Sequence, residues 1–130
     1  HTHGMVPAPS VATQAQMEAA SSTTVYVTPG RTQYHPGVTK AWCHGTDGNL
    51  VSSYNISGIS NDSDGINTYT IATDLSSTTY PVVTGTDGIV SNNSRCIYSG
   101  SRAAGSFKLL SSNDGVASGL TQFAAVLGDQ

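Results

Sequence analysis

The fold is decided by residues 50–73, which read LVSSYNISGISNDSDGINTYTIAT. Apolar and polar residues alternate through Leu50–Ile59, the two-residue period of a strand with one buried face. The segment Asn61-Asp-Ser-Asp-Gly65 is rich in residues that accept turn conformations. In the run Ile66–Thr73 that follows, Tyr69 and Ile71 are again in phase. The stretch therefore predicts a strand, a turn and a second strand.

The same pattern continues on both sides of this stretch. Strand-like runs recur at 38–44, 79–86, 95–99, 106–111 and 121–127, with turn signals at Asp47-Gly48, Asp87-Gly88 and Asp114-Gly115. Short strands at roughly ten-residue spacing indicate a sandwich or barrel. Antiparallel pairing follows, because no connection is long enough for a helical crossover. We therefore predict an all-β domain, an antiparallel β-sandwich knob, over residues 38–130.

The composition narrows the class of protein. The chain has 130 residues, suited to one domain, with only 10% charged and 7% aromatic residues. This excludes a coiled coil or helical bundle, which would be rich in Ala, Glu, Lys, Leu and Arg. A net charge of -3 with five scattered basic residues argues against nucleic-acid binding. No apolar run approaches the roughly 20 residues of a membrane span.

Residues 1–37 differ from the rest and are predicted to form a stem and linker. Pro7 and Pro9 favour an extended lead-in. Thr13 and Gln16 have capping-box spacing and predict one short helix after them. The pairs Pro29-Gly30 and Pro36-Gly37 predict two bends. Because the chain begins at His1 without an initiator Met or a signal peptide, we expect it to be the C-terminal piece of a longer protein.

Catalytic patterns are lacking in the sequence. It has neither a Gly-x-Ser-x-Gly elbow nor a phosphate-binding loop. Nearly every Asp sits in a predicted turn, and the loop Asn61–Gly65 lacks the downstream Glu of a calcium site. We therefore predict that the protein is not an enzyme.

The two cysteines, Cys43 and Cys96, each fall inside a strand-like run without metal-type spacing. Two buried thiols are favoured over a disulfide, although a pairing stays open. Cys43 precedes His44, which suggests a thiol nucleophile, but adjacent strand residues point to opposite faces. A packed Cys43 beside a solvent-facing His44 is the preferred interpretation.

Several segments resemble the fibre proteins of tailed bacteriophages. Ala12-Thr-Gln-Ala-Gln-Met-Glu-Ala-Ala20, followed by Val27-Thr-Pro29, is similar to an Ala-Thr-Gln-Ala-Glu…Ala-Gly…Val-Thr-Pro segment of those proteins. Tyr34-His-Pro-Gly-Val38 and then Lys40-Ala-Trp42 resemble the opening of the β-rich C-terminal domain that often follows. Further similarities are Ser53–Ser57, the turn at Asp64-Gly65, Tyr69–Ile71 and the closing Phe123–Gln130. Gln16 and Ala20 depart from the pattern, where Glu and Gly are usual.

The resemblance implies a virion structural protein, the distal part of a phage tail fibre that attaches to the host surface. Such fibres are assembled in the host cytoplasm as parallel homotrimers, which implies a trimeric stem over 1–37 and one knob per chain over 38–130. Met17, with Val25 or Val27, would face the threefold axis. The implied partners are other phage tail proteins and a host cell-surface glycan or protein receptor, without nucleic acid or membrane insertion.

His1 and His3 form a His-x-His doublet whose imidazoles face one way in an extended chain. Two imidazoles from each of three chains would give an octahedral set that suits iron(II) or nickel better than zinc. The resemblance implies a structural iron(II) ion (Fe2+) on the trimer axis, held by His1 and His3. The alternative is a terminus without a metal.

Receptor recognition is expected at the loops of the knob, because loops on a rigid sandwich usually carry specificity. The candidate receptor-binding residues are Asn61, Asp62, Asp64, Asn92 and Asn93. The tyrosines and Trp42 suit stacking on sugars, but Tyr54 and Tyr69 are in phase with core positions and are predicted to pack. Two alternative functions stay open: an architectural fibre or virion module without host contact, and a carbohydrate-binding β-sandwich module of a secreted protein.

Overall fold

The computed structural model describes residues 4, 7–46, 48–86, 95–113, 116–117 and 121–128, with backbone alone at 95–99, 113 and 116–117. Within these residues the protein is mostly β, with two antiparallel sheets and two short helices. The described elements are α1 (Gln14–Ala19), α2 (Pro29–Thr32), β1 (Ala41–Thr46), β2 (Asn49–Tyr54), β3 (Ile56–Ser63), β4 (Ile66–Ile71), β5 (Val82–Gly85), β6 (Arg95–Ala103), β7 (Ser106–Asn113), β8 (Val116–Ala117) and β9 (Gln122–Val126).

Helix α1 begins where the sequence predicts. The hydroxyl of Thr13 accepts a hydrogen bond from the backbone N–H of Gln16 at 3.2 Å, and the Gln16 side chain accepts one from the Thr13 backbone at 2.9 Å. The capping box is therefore confirmed. The helix ends at Ala20, whose φ of 50° is left-handed. A second helical turn, α2, replaces the first of the two predicted bends, with Pro29 at its first position, where a missing N–H has no cost.

The strands form two layers. One sheet has the order β2-β1-β9-β5 and the other β3-β4-β7-β6, with the two-residue β8 also paired to β7. Every pairing between described strands is antiparallel, as predicted. The chain crosses between layers four times, from β2 to β3, from β4 to β5, from β5 to β6 and from β8 to β9. The knob is therefore sandwich-like, and the core lies between the layers.

The prediction of one continuous strand over Leu50–Ile59 is wrong. Asn55 separates β2 from β3 and has a φ of 55°, so the two strands enter different sheets. Its amide donates to the carbonyl of Lys40 at 3.0 Å and its carbonyl oxygen accepts from the N–H of Thr73 at 2.9 Å. Asn tolerates this left-handed backbone because its short polar side chain makes such local bonds. The corner is thus fixed by one residue.

The predicted turn at 61–65 is shorter in the structure. Residues 61–63 belong to β3, with an irregular register between Asn61 and Ser63, and the turn itself is Asp64-Gly65. Gly65 has a φ of 72°, a conformation that favours glycine. Two of the predicted loop residues, Asn61 and Asp62, therefore lie on a strand.

The core confirms the predicted phase of the central strands. Tyr69, Phe107, Leu109 and Val126 have no exposed surface, and Ile71 is also buried. The rings of Tyr69 and Phe107 lie nearly parallel with centroids 5.4 Å apart. These side chains come from both sheets, so burial of their apolar surface holds the two layers together.

Candidate functional site

Among the knob side chains that the structure describes, the two large exposed aromatic residues, Trp42 and Tyr54, share one face. Trp42 on β1 lies opposite Tyr54 on β2 and, on its other side, opposite Ala125 on β9, which in turn lies opposite Val83 on β5. Trp42 is 42% exposed, Tyr54 52% and Val83 60%. A continuous row, Tyr54–Trp42–Ala125–Val83, thus crosses all four strands on the side away from the core.

A second row lies beside the first. His44 on β1 is opposite Phe123 on β9, and their rings are stacked with centroids 4.4 Å apart. An open groove of about 360 Å³ lies between Phe123, Trp42 and the edge strand β5. We define the outer apolar face as Trp42, His44, Tyr54, Val83, Phe123 and Ala125. None of these six side chains carries a formal charge when His44 is neutral.

The predicted burial of Tyr54 is wrong, and a bulge supplies the reason. The β1–β2 register pairs His44 with Ser52 and then Gly45 with Leu50, which leaves Val51 as an extra residue in β2. A bulge reverses the phase of the strand beyond it. Leu50 therefore packs against the core, whereas Tyr54 emerges on the outer side.

Sequence reasoning also missed the rest of the outer apolar face, although β9 gives a signal for it. In β9 the inward residues Ala124 and Val126 are buried, and the outward residues Phe123 and Ala125 are apolar as well. A strand that is apolar on both faces is typical of one covered on both faces. The alternation of Phe123 and Ala125 with Ala124 and Val126 therefore points to a second covered surface.

Beneath this face, Gln122 of β9 joins the two sheets by a buried polar network. Its carbonyl oxygen accepts from the amide of Asn67 at 2.9 Å and from the hydroxyl of Tyr69 at 2.8 Å. Its amide donates to the carbonyl of Gly65 at 3.2 Å and to the hydroxyl of Ser111 at 3.1 Å. Gln122 has no exposed surface, so these bonds replace the water it loses. The network fixes the position of β9 over the second sheet.

Gly45 allows this network to form. A Cβ atom at this position would lie 2.4 Å from the Tyr69 hydroxyl oxygen, closer than any real contact. Glycine is therefore required where β1 passes over Tyr69. β1 and the Tyr69 side chain of β4 are therefore in close contact across the two sheets.

Cys43 and His44 lie on opposite faces of β1, as predicted. Cys43 is buried and free, and burial raises the pKa of its thiol to about 12. A thiol with so high a pKa is almost wholly protonated at neutral pH and is a poor nucleophile. His44 is half-buried and stacked on Phe123 rather than aimed at the sulfur. Cys43 and His44 are therefore arranged as packed side chains and not as a thiol beside an activating imidazole.

Asp62 centres a polar cluster on the outer side of the second sheet. Its carboxylate accepts from the Lys108 ammonium at 2.7 Å, from the Thr68 hydroxyl at 2.6 Å and from the Ser60 hydroxyl at 3.2 Å. The bonds from Lys108 and Thr68 lower the pKa of Asp62. The pair is exposed and screened by solvent, so its effect on stability is small.

The predicted receptor-binding residues are thus brought together only in part. Asn61 and Asp62 on β3 and Asp64 in the following turn are exposed and near one another in the chain. Asn92 and Asn93 lie outside the described residues, as do the predicted metal ligands His1 and His3. Within the described ranges, no three His, Cys, Asp or Glu side chains group closely enough to hold a metal ion.

Lys40 forms the junction between the N-terminal segment and the knob. It is only 1% exposed, and its ammonium donates to the backbone carbonyls of Gln33 and of His35, the latter at 2.8 Å. Its own backbone N–H donates to the carbonyl of Val126 at 2.7 Å. One buried lysine therefore binds the segment before β1 to the end of β9. Burying an ammonium is favourable only with such partners.

The N-terminal segment packs partly on itself. Residues 10–12 run beside Tyr26 through hydrogen bonds from Ala12 N–H to the Tyr26 carbonyl, 2.8 Å, and from Tyr26 N–H to the Ser10 carbonyl, 3.1 Å. Met17 is buried within this single chain, beside a cavity of about 170 Å³ that Val25, Val27 and His35 also line. Val27 keeps half of its surface exposed, so it fits a contact with another chain better than Met17 does.

Neither α1 nor α2, the helices in the described part of the chain, is long enough to cross a membrane. Comparisons with known protein families, with curated proteins and with solved structures give no match to this chain.

Proposed function

We propose that this chain is the distal part of a phage tail fibre, a virion structural protein that attaches to the host cell surface. One observation carries the proposal: the residues that resemble the opening of a fibre protein's C-terminal β-rich domain connect the N-terminal segment to the knob in this structure. Lys40, from the Lys40-Ala-Trp42 segment, binds the carbonyl of His35, from the Tyr34–Val38 segment, in a buried site. The residues that carry the resemblance therefore also hold the N-terminal segment to the knob.

The architecture supports attachment rather than catalysis. A two-sheet knob with few charges offers a rigid support for recognition residues at strand ends and turns. Asn61, Asp62 and Asp64 are exposed at one such end. Carboxylate and amide groups there suit the hydroxyls of a host-surface glycan or polar groups of a protein receptor. Asn92 and Asn93 are proposed to contribute as well, from outside the described residues.

The proposed fibre is a parallel homotrimer with residues 1–37 as its stem. His1 and His3 of the three chains would hold one iron(II) ion on the axis, as a structural clamp without an open coordination position. Other tail proteins would be the partners at the virion end of the stem.

A carbohydrate-binding module is the second candidate, and the exposed Trp42–Tyr54 pair favours it. Aromatic faces stack on sugar rings, and the two side chains are neighbours across β1 and β2. A purely architectural role in the virion is the third possibility. These functions differ in whether the isolated chain competes for the host surface.

Competition of phage adsorption separates them. Purified chain, added at rising concentration to the host before the phage that carries this fibre, should reduce adsorption until it saturates. An Asp62→Asn, Asp64→Asn variant should compete less, whereas Gln14→Ala, an exposed change on α1, should compete as well as the native chain. No competition at saturating protein would overturn the host-attachment proposal and favour an architectural role.

A further inference from the structure

The outer apolar face lies on the side of the first sheet that points away from the core. Its six side chains present two aromatic rings, a stacked His44–Phe123 pair and Val83 to solvent around the small Ala125. Contiguous apolar patches on soluble proteins mark interaction sites. We infer that copies of this chain associate through this face; the inference rests on the proposed fibre function and names the surface on which its assembly depends.

The sequence of β9 argues that the face is covered. Phe123 and Ala125 point outward from a strand whose inward side is already buried at Ala124 and Val126. Strands apolar on both sides are usually covered on both sides. Covering the outward side by protein would complete the burial of β9, the strand next to both β1 and β5.

The lack of charged residues on the outer apolar face favours a second copy of the chain as the partner that covers it. None of the residues of this face is Asp, Glu, Lys or Arg, whereas the chain as a whole carries a formal charge of -3 with His counted as neutral. Two copies can therefore approach through this face without the like-charge repulsion that other surfaces would bring. An apolar surface also matches its own copy in chemistry, because each side gains by leaving water.

A sugar fits the face less well. Sugar recognition needs polar groups beside the aromatic rings, since hydroxyls left without hydrogen bonds are costly. The groove between Trp42 and Val83 is lined mainly by apolar groups, with the Thr84 hydroxyl as its polar exception. The groove therefore favours an apolar protein surface.

The order of side chains along the row Tyr54–Trp42–Ala125–Val83 permits a closed cyclic assembly. Ala125 lies between Trp42 and Val83, so the middle of the face is low and its flanks are raised. In a cyclic assembly the same face of every copy turns toward one axis. The small Ala125 would then permit close approach, while Trp42 and Val83 contact the neighbouring copies.

Sedimentation velocity of point variants tests the inference. The native chain at micromolar concentration should sediment at about 40 kDa, three times the 13.4 kDa of one chain. Val83→Lys and Ala125→Lys place a charge on the face and should give the single-chain mass. Thr70→Lys is the matched control, an exposed position on β4 of the other sheet, and should keep the native mass. Circular dichroism would verify that each variant is folded, and Val83→Lys, at an exposed edge position, decides the result if Ala125→Lys does not fold.

The outcomes separate the inference from the proposed function. A native assembly that persists in a folded Val83→Lys variant would overturn the inference and leave the fibre proposal standing. A native monomer would overturn the inference together with the trimer. A native monomer whose Trp42 emission shifts on addition of maltohexaose would instead assign the face to a sugar. Adsorption competition by the native chain tests host attachment independently of all three results.

Discussion

Trp42 lies directly opposite Tyr54 across β1 and β2, and both side chains emerge on the outer side of the sheet. This pair exists because Val51 adds one residue to β2 and reverses the phase beyond Leu50. Cross-strand aromatic neighbours stabilise a sheet even in water, by about 0.2–1 kcal/mol. Their exposure on an uncharged face is the structural basis for the proposed association.

The Gln122 network should dominate the stability of the knob. Gln122→Ala removes the partner of the Asn67 amide and of the Tyr69 hydroxyl while both stay buried. Unsatisfied buried groups of this kind should lower the free energy of unfolding by about 2–4 kcal/mol. Urea denaturation at fixed protein concentration measures the change.

Gln14→Ala is the matched control for that experiment. Gln14 bonds Glu18 at 2.8 Å on the exposed side of α1, and such helix pairs contribute only about 0.2–0.5 kcal/mol. Equal effects of Gln122→Ala and Gln14→Ala would show that the buried network does not hold the two sheets together.

Gly45 should be intolerant of a side chain, and the closest obstacle is the Tyr69 hydroxyl oxygen, with Ile59 Cδ1 next at 3.0 Å. Gly45→Ala places a methyl group 2.4 Å from the Tyr69 hydroxyl oxygen and should destabilise the knob by about 1–3 kcal/mol. In a Tyr69→Phe background the same change should cost less, because the clashing oxygen is gone. A double-mutant cycle by urea denaturation measures this coupling.

Gly58→Ala provides the comparison, since nothing lies within 4 Å of a Cβ there. It should leave stability nearly unchanged. If the cost of Gly45→Ala were the same with Tyr69 and with Phe at that position, the close approach would not be the cause.

Local signals made part of the fold predictable. The Thr13–Gln16 capping box depends only on residues three apart, and the alternation through Tyr69 and Ile71 depends only on strand geometry. The sandwich class followed from the turn spacing. The corner at Asn55 could not be predicted, because a left-handed backbone is only one of the conformations that Asn adopts. The residues around it alternate as they would in a continuous strand.

The site was less predictable, because it depends on long-range register. The exposure of Tyr54 follows from the bulge at Val51, which is visible only when β1 is paired with β2. The burial of Lys40 depends on carbonyls supplied by Gln33 and His35, which no strand or helix pattern predicts. The apolar outward side of β9 was the one local signal for the outer face.

The buried thiol of Cys43 should make stability depend on alkaline pH. Its pKa rises from 9.0 to about 12 on folding because burial disfavours the thiolate. The unfolded chain therefore releases this proton first, so stability is full below about pH 9 and is lost as pH rises from 9 toward 12. Urea midpoints measured from pH 8 to 11 should fall, and less steeply in Cys43→Ala.

Tyr69 and Tyr80 also have a raised pKa, so Cys43→Ala should retain part of the decline. If native chain and Cys43→Ala gave superimposable pH profiles, the thiol would be as accessible in the fold as in the unfolded chain.

The proposed iron clamp predicts a stoichiometry. Elemental analysis of the purified native chain should give about one iron per three chains, and His3→Ala should give none, because one imidazole per chain leaves the octahedral set incomplete. His35→Ala is the control and should keep the metal, since His35 belongs to the junction with Lys40. Equal metal content in native and His3→Ala chains would exclude the clamp.

The central claim is that other copies of the chain cover the face around Trp42, and its fluorescence tests this most directly. Trp42 is the only tryptophan, so the emission reports this face alone. Acrylamide quenching at micromolar protein should be weak for the native chain and should rise to that of an exposed indole in Val83→Lys. Strong quenching of the native chain, equal to that of Val83→Lys, would show an uncovered face and would contradict the account.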